Sequence, residues 1–429
     1  ASCCHKRFIL CRYLSLQTVI IMINEHSNTN HKNGDDSGTI LLPTFDSFLH
    51  FDSPEQRQFN NVTIPCILKP PANVNFNSVH DVTMFIITHR SSIDAALRES
   101  GVVLFRNFMP LQTPSDFNLF VKSFEGYQDL SYETSMSFAV RQRLEERICT
   151  TNEGKSGGLV FHHEQAQTPM WPSKVFFCCQ LPAAKGDGGQ TGLVSSVLVY
   201  DKLKLKYPKF IEQCESRGVQ YTFYAGPLQD TSKGAGRSWK SFFHVSTREE
   251  AENKMKRGGW TWEWGIGSTG DSMPDDFLKC TTPVLDAVKT VSSGGDTTKK
   301  CFFNQLIATV ANALEFSNVG MDGGGYNPLI DTPTQEGIDA CVRFGPSPNT
   351  SDCIDNENTL DLDILLDAKK MCEELAVNVE WQKGDVALVC NYTMMHARRL
   401  WHGPVGTRKV LASLVAEPNC TSFGKSLIV

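Results

Sequence analysis

A chain of 429 residues with 41% apolar side chains can bury one large core or two modest ones, since single cores are commonly built from roughly 100 to 250 residues. Its 41 basic and 47 acidic side chains leave a formal charge of -6 and are mixed along the chain, so there is no broad basic footprint for a nucleic-acid backbone and a small-molecule substrate is expected instead. Fifteen cysteines, odd in count and irregularly spaced, form neither a zinc-finger nor a CxxC pattern. They point to free thiols in a reducing intracellular compartment, cytoplasmic or organellar, in place of a disulfide framework.

Lys6 and Arg7 precede a mostly apolar run over residues 8–23, broken by Arg12, Ser15, Gln17 and Thr18, with no acidic residue before Glu25. A membrane span needs about 20 consecutive, mostly apolar residues, so this run reads as a targeting segment or surface helix, and no stable membrane insertion is expected. The string NEHSNTNHKNGDDSG over residues 24–38 reads as loop. Residues 1–70 are therefore set apart as an extension, 71–420 as one catalytic domain and 421–429 as a tail.

A helix is predicted over residues 84–99, a turn at Ser100-Gly101, and a strand in VVLFRNF. Further short, β-branched or aromatic runs read as strands: KVFFCC from Lys174, VQYTFY from Val219, DVALVC from Asp385 and KVLASLV from Lys409. Leu365, Ala368, Cys372 and Leu375 recur at helical spacing and predict a helix over 362–375. Regular helix and strand alternation is missing, which favours a mainly β, α+β fold: an antiparallel barrel or double sheet with peripheral helices. Residues 225–336, with RGGWTWEWG and GMDGGGYNP, read as a lid or insert over a pocket, or as a peripheral insertion held by its own Trp cluster.

The string GGLVFHHEQAQ carries the most chemistry. If residues 160–165 form a strand, alternation sends His162 and Glu164 to one face and His163 to the other. A third ligand is available at His396 in NYTMMHARRLW, 232 positions beyond Glu164. Two imidazoles and one carboxylate suit ferrous iron with positions left open, although HxE alone serves ordinary hydrogen bonding equally well. Arg408, twelve residues further on in GTRKVLASLV, opens an apolar strand, and its planar fork suits the distal carboxylate of a dicarboxylic oxo-acid. A rim salt bridge is the plain alternative, and it applies as readily to Arg398 and Arg399.

Six segments, ESGVVLFRNF, FHHEQAQ with WPSKVFFCCQLPAAKGDGGQT, GRSWKSFF, WQKGDVALV, MHARR and GTRKVLASL, occur in the order in which the chain resembles the clavaminate synthase-like branch of the taurine dioxygenase (TauD/TfdA) superfamily, from about residue 97 to 414. The resemblance implies a distorted double-stranded β-helix, or jelly roll, wrapped by helices, with Fe(II), 2-oxoglutarate and dioxygen as metal and cosubstrates. It implies His162, Glu164 and His396 as metal ligands, Thr191 as a hydroxyl donor to 2-oxoglutarate, Arg408 as the clamp on its distal carboxylate, and Arg398 as a second active-site arginine. A family Asp-Asn pair stands here as Cys390-Asn391, which alters the support expected behind His396 without removing a ligand.

The expected reaction is oxidation of a small, carboxylated or amino-acid-like substrate by hydrogen-atom abstraction, with release of succinate and carbon dioxide. The outcome is hydroxylation or oxidative cyclisation or desaturation. Arg237, Lys240, Asn304 and Gln305 are polar candidates for holding the substrate, each of which also suits a structural hydrogen-bonding role. A zinc-dependent hydrolase using the same His/Glu/His site and a non-catalytic jelly-roll binding protein are the competing readings; oxygen-dependent conversion of 2-oxoglutarate to succinate separates all three.

Overall fold

The computed structural model describes residues 44–130, 135–137, 139, 141–151, 158–229, 236–267, 270–294, 297–316, 331–347 and 358–417, which belong to a compact unit beginning at Thr44. The run over 8–23, the string over 24–38, GMDGGGYNP and the tail over 421–429 lie outside the described residues.

The unit opens with β1 (Leu49–His50), β2 (Arg57–Phe59), β3 (Val62–Ile64) and β4 (Cys66–Leu68). Asn60 and Asn61, between β2 and β3, both take positive φ, 47° and 68°, the backbone twist that tight hairpins favour and that asparagine tolerates. Helix α1 (Val79–Ser100) begins at a capping box: Ser78 Oγ accepts from Asp81 N–H, and the Asp81 carboxylate accepts from Ser78 N–H. That box lies ahead of the apolar periodicity, so the helix starts five residues earlier than the spacing alone predicts. It stops at Gly101, φ 76°, where an added Cβ would stand 2.6 Å from Met394 Cγ. Only glycine meets both demands. β5 (Val102–Phe105) follows, and α2 (Pro114–Lys122) repeats the capping box through Thr113 and Asp116.

The chain continues through β6 (Gln128–Asp129), β7 (Cys149–Thr150), β8 (Leu159–His162), β9 (Lys174–Leu181), β10 (Thr191–Ser195), α3 (Ser196–Lys206), α4 (Pro208–Arg217) and β11 (Val219–Ala225). Next come α5 (Trp239–Phe243), α6 (Arg248–Arg257), β12 (Thr261–Trp264), β13 (Leu278–Thr281), β14 (Lys289–Gly294), β15 (Thr297–Cys301), α7 (Leu306–Asn312), α8 (Gln335–Cys341) and β16 (Val342–Phe344). The last elements are α9 (Leu362–Leu375), β17 (Val377–Val379), β18 (Val386–Cys390), β19 (Met394–Arg398) and β20 (Lys409–Ala416).

Three larger sheets and two hairpins, β2-β3 and β14-β15, organise these elements into a mixed α+β fold. The largest runs β1-β4-β5-β18-β9-β20-β6 with β7 also on β20, the second runs β17-β10-β19-β8, and the third runs β12-β13-β11-β16. Pairing in all three is antiparallel apart from β4 with β5. Residues 44–70, which composition alone leaves in the extension, thus supply two strands to the largest sheet.

Period-2 alternation explains the layering. Val103, Phe105, Phe176, Leu388 and Leu411 point to one side of the largest sheet and pack on Phe85, Ile93, Phe117 and Phe120 of α1 and α2. Their neighbours Leu104, Val175, Phe177, Val389 and Ala412 point to the other side and pack on Leu193, Val377, Val379 and Met394 of the second sheet. The far side of the second sheet, through Phe161, Val194, Met395 and Ala397, is covered by α3, α4, α7 and α9. Helices, sheet, sheet and helices therefore stack in that order, with two antiparallel sheets sharing an apolar interior. The ten cysteines among the described residues are free, and no helix among them is long and apolar enough to cross a membrane.

Candidate metal centre

The centre is built on one rung of the second sheet. His396 of β19 pairs directly with His162 at the end of β8, and their rings lie 4.2 Å apart. Glu164 Oε2 stands 3.5 Å from His396 Nε2 and 4.0 Å from His162 Nε2, and one ligand atom from each of the three residues falls within 4.8 Å of the others. The strand expected over 160–165 ends early, at His162. Gln165 takes φ 58° and its carbonyl accepts from Thr168 N–H at 3.1 Å, so Glu164 sits at the start of a turn.

What fixes Glu164 beyond the strand is Asn391. Its Oδ1 accepts from Glu164 N–H at 2.8 Å, while its Nδ2 donates to Glu164 O at 2.9 Å and to Pro172 O at 2.8 Å. A buried amide thus replaces the strand partner that the turn has lost. His163 faces away from the centre and is fully buried, with its ring nitrogens against Asn391 O at 2.5 Å and Phe302 O at 3.1 Å.

The protonation states suit a cation. Burial, and after it the neighbouring His396, pushes the His162 imidazole down to about 4. Its Nδ1 contacts Val160 O at 2.8 Å, which places the ring proton on Nδ1 and turns the Nε2 lone pair to the centre. Burial alone would raise the Glu164 carboxyl, but the hydrogen bond from His396 and the charges of His396, His162 and Arg141 hold it at about 2. At neutral pH the centre therefore offers the neutral imidazole and ionised carboxylate that a divalent metal requires.

A second cluster lies along the same strands. Thr191 opens β10 opposite Arg398 of β19, and its Oγ1 accepts from Trp381 Nε1 at 2.9 Å, which leaves the Thr191 O–H to act as a donor. Alternation separates the adjacent arginines: Arg398 is buried on the same face as His396, whereas Arg399 pairs with Glu373 at 2.5 Å and with Asn378 at 2.6 Å. Buried Arg408 donates through Nε to Gly189 O at 2.8 Å, two residues before Thr191. A Cβ at Gly189, φ 75°, would stand 2.9 Å from Arg408 Cδ, so glycine is what lets the arginine pass.

The substrate candidates divide. Asn304 Nδ2 donates to Ala287 O at 2.8 Å, and its Oδ1 accepts from Leu306 N–H at 2.9 Å. Gln305 Nε2 donates to His163 O and, at 2.9 Å, to Gln167 Oε1, bracing the turn that carries Glu164. Arg237 donates to Ser135 O at 2.9 Å and Ser137 O at 3.0 Å and to Ser241 Oγ at 2.8 Å. Exposed Lys240 lies 5.4 Å over the Trp239 ring. Arg237 and Lys240 line a cavity of about 630 Å³ that Arg141 also lines. Trp381 and Arg141 were not singled out from sequence, and Asn391 entered there only as half of the Cys390-Asn391 pair behind His396, not as the brace on Glu164.

Two imidazole nitrogens and one carboxylate oxygen, converging from paired antiparallel strands and a turn, define the donor set of the non-haem iron(II) oxygenases. Comparison with known proteins narrows this. The family described as taurine catabolism dioxygenase TauD, TfdA matches residues 69–256. A clavaminate synthase-like protein of Arabidopsis thaliana is 31% identical over 365 residues, 84% of this chain and 96% of that protein. A taurine dioxygenase of Burkholderia xenovorans matches in structure at 12% identity and a TM-score of 0.39, covering 77% of this chain and 80% of its own. The PvcB protein of Pseudomonas aeruginosa matches at 11% identity and a TM-score of 0.40, covering 86% and 93%. The chain belongs to the TauD/TfdA superfamily of Fe(II)/2-oxoglutarate-dependent dioxygenases and has a clavaminate synthase-like relative. It is accordingly an oxidoreductase whose metal is Fe(II) and whose cosubstrates are 2-oxoglutarate and dioxygen.

Proposed function

We propose that the chain oxidises a small, carboxylated or amino-acid-like substrate at a carbon held beside His162, Glu164 and His396, giving hydroxylation or oxidative cyclisation or desaturation. The observation that carries this reading is the convergence of one ligand atom from each of His162, Glu164 and His396 within 4.8 Å. When bound, iron with 2-oxoglutarate and dioxygen supplies hydrogen-atom abstraction, with succinate and carbon dioxide as co-products. The two packed antiparallel sheets support a double-stranded β-helix core for the domain, with residues 225–336 as its lid or insert.

In this reading the chain's own side chains bind and orient. His162 and His396 present Nε2 and Glu164 presents Oε2 to the metal, and Asn391 holds Glu164 in place through its backbone. Arg408, threaded past Gly189, clamps the distal carboxylate of 2-oxoglutarate, and the Thr191 hydroxyl, its oxygen already engaged by Trp381, donates to the same group. Arg398, on the His396 face, steers a carboxylate of cosubstrate or substrate. No side chain is required to act as a general base; the protein decides which carbon faces the metal.

The test is oxygen-dependent formation of succinate from 2-oxoglutarate by purified, iron-loaded chain. Uncoupled turnover is expected even without the natural substrate, and it is expected to disappear in His162→Ala and His396→Ala. Hydrolysis of an ester or amide by the zinc-loaded chain, with no oxygen requirement, would overturn the reading.

A further inference from the structure

Three separate ties run from the β2-β3 hairpin and its approach to the residues beside Thr191. The first is Arg106, which follows β5 and is buried. Its Nη1 donates to both carboxylate oxygens of Glu55 at 3.0 Å. Its Nε and Nη2 donate to Asp385 Oδ2 at 3.2 and 2.8 Å, and Nη2 also donates to Glu380 O at 2.8 Å. All the donor directions of one planar guanidinium are thus used to hold residue 55 to residues 380 and 385. The second tie is Arg57 of β2, whose Nη1 donates to Glu374 O at 2.9 Å and to Ala376 O at 2.8 Å, carbonyls at the end of α9. The third is apolar: Phe59, Val62 and Ile64 pack in one cluster with Leu193, Val377, Val379 and Trp381.

The residues so held, 374–385, form a strap along the strand that Thr191 opens. Val379 of β17 pairs with Thr191 of β10, Trp381 Nε1 donates to Thr191 Oγ1 at 2.9 Å, and Glu380 Oε1 accepts from Gln190 Nε2 at 2.8 Å. Arg57 fixes the strap before β17, and Arg106 with Glu55 fixes it on either side of Trp381, at residues 380 and 385. A hydroxyl whose oxygen is already engaged donates in a direction set by the group that engages it. Displacement of the indole would therefore turn the Thr191 O–H, and a misplacement of about 1 Å caused by a distant change is enough to lose much of a side chain's effect.

We infer that the β2-β3 hairpin is the buttress of the cosubstrate site, with Arg106 and Arg57 as positioning residues that hold Trp381, and through it the Thr191 hydroxyl, for 2-oxoglutarate. Neither arginine is a metal ligand or a cosubstrate contact; each acts through residues 374–385. The inference rests on the proposed contact of Thr191 with 2-oxoglutarate, and Thr191→Val tests that contact by itself. It gives residues 55–64 a part in cosubstrate binding that their distance in sequence from Thr191 does not suggest.

Anaerobic titration of the whole, Fe(II)-loaded chain with 2-oxoglutarate, read from the charge-transfer band, gives the cosubstrate Kd. Fe(II) titration and thermal melting of the same samples report the metal centre and the fold. Trp381→Phe is expected to raise the 2-oxoglutarate Kd by about three- to tenfold, the scale of one hydrogen bond. Arg57→Gln, at an exposed position, is expected to raise it by about threefold. Arg106→Lys is expected to raise it by about tenfold, since Lys keeps the charge without the parallel donors. Fe(II) affinity is expected to keep its wild-type value in each variant, a split that a general loss of stability would not produce. Adding Arg57→Gln to Trp381→Phe is expected to change little further, because the tie acts through the indole. Wild-type 2-oxoglutarate affinity in both Arg57→Gln and Arg106→Lys, parallel loss of Fe(II) and 2-oxoglutarate affinity, or full multiplication of the two effects in the double variant would overturn the inference. Wild-type affinity in Thr191→Val would instead sink the Thr191 contact, and weakened binding in Arg57→Gln would then still place the buttress at the cosubstrate site.

Discussion

The metal centre and the cavity lined by Arg237 and Lys240 are built in opposite ways. The centre rests on a hydrogen-bonded rung, His162 opposite His396, inside a sheet buried between another sheet and four helices. The cavity is assembled from loop residues and short helices around the Trp239, Phe242, Phe243 and Trp260 cluster. Chemistry that must hold three donor atoms within 4.8 Å needs the strand register to place them. Recognition of a substrate needs only compatible lining, which loops provide and can change without disturbing the core. The contrast also separates errors: damage at the rung should remove reaction outright, whereas changes in the cavity lining should leave the three donor atoms in place.

The largest effects are expected at the rung. His162→Ala, Glu164→Ala and His396→Ala should each abolish iron-dependent turnover, measured as succinate formed. His163→Ala should instead bind iron and lose stability, by about 1 to 3 kcal/mol, because it removes the buried ring's hydrogen bond to a main-chain carbonyl; metal titration and thermal melting separate the two outcomes. If His163 proved necessary for metal binding and His162 dispensable, the strand register would be wrong.

Arg408 comes next. Arg408→Ala should weaken 2-oxoglutarate binding by about 2 to 5 kcal/mol, a roughly thirtyfold to several-thousandfold loss, with Arg408→Lys restoring only part. Arg399→Ala should change it little, since a partly exposed ion pair contributes about 0 to 1 kcal/mol. The adjacent pair Arg398 and Arg399 thus sharpens the comparison within one strand, because alternation alone gives them different neighbours.

A smaller loss is expected at Asn391. Asn391→Ala removes both hydrogen bonds to the Glu164 backbone and should lower Fe(II) affinity by about 10- to 100-fold, as loss of groups supporting metal ligands commonly does. Unchanged affinity would mean that the turn after β8 needs no such brace.

The smallest effect lies far from both regions, at the start of α1. The exposed Asp81 carboxyl is held below its ordinary value, first by the Asn77 N–H and also by the Ser78 N–H. Such a group contributes stability above its unfolded value and loses it as pH falls through the lowered folded value. Asp81→Asn should therefore lower the melting temperature slightly at neutral pH and have no effect once both states are protonated. A difference that persisted in strong acid would point to a cause other than the carboxylate.

Much of the rung was legible in the sequence because its chemistry permits few residue types. HxE with a distant histidine, and an arginine opening KVLASLV, are visible without coordinates. Strands at Lys174, Val219, Asp385 and Lys409 were readable from β-branched and aromatic runs, and the helix Leu362–Leu375 from its spacing. The early start of α1 was signalled by Ser78 and Asp81, a pattern of polar residues that apolar periodicity does not register. The role of Asn391 was not readable, since its partners are the backbone of Glu164 and Pro172 and any buried amide at that point in space would serve. Arg237 and Asn304 carry side chains suited to a substrate, yet their donors are engaged by Ser135, Ser137 and Ala287 carbonyls, which composition does not reveal. Arg141 enters through the cavity it lines, a property of the folded chain alone.

The central claim is that His162, Glu164 and His396 hold iron with room for 2-oxoglutarate beside it. Anaerobic titration of the iron-loaded chain with 2-oxoglutarate, followed by metal-to-ligand charge-transfer absorbance, tests that without any substrate. A saturable band in wild type that is lost in His162→Ala and His396→Ala is the predicted result. A folded wild type that binds iron and gives no band, or a band that persists unchanged in both variants, would contradict the claim.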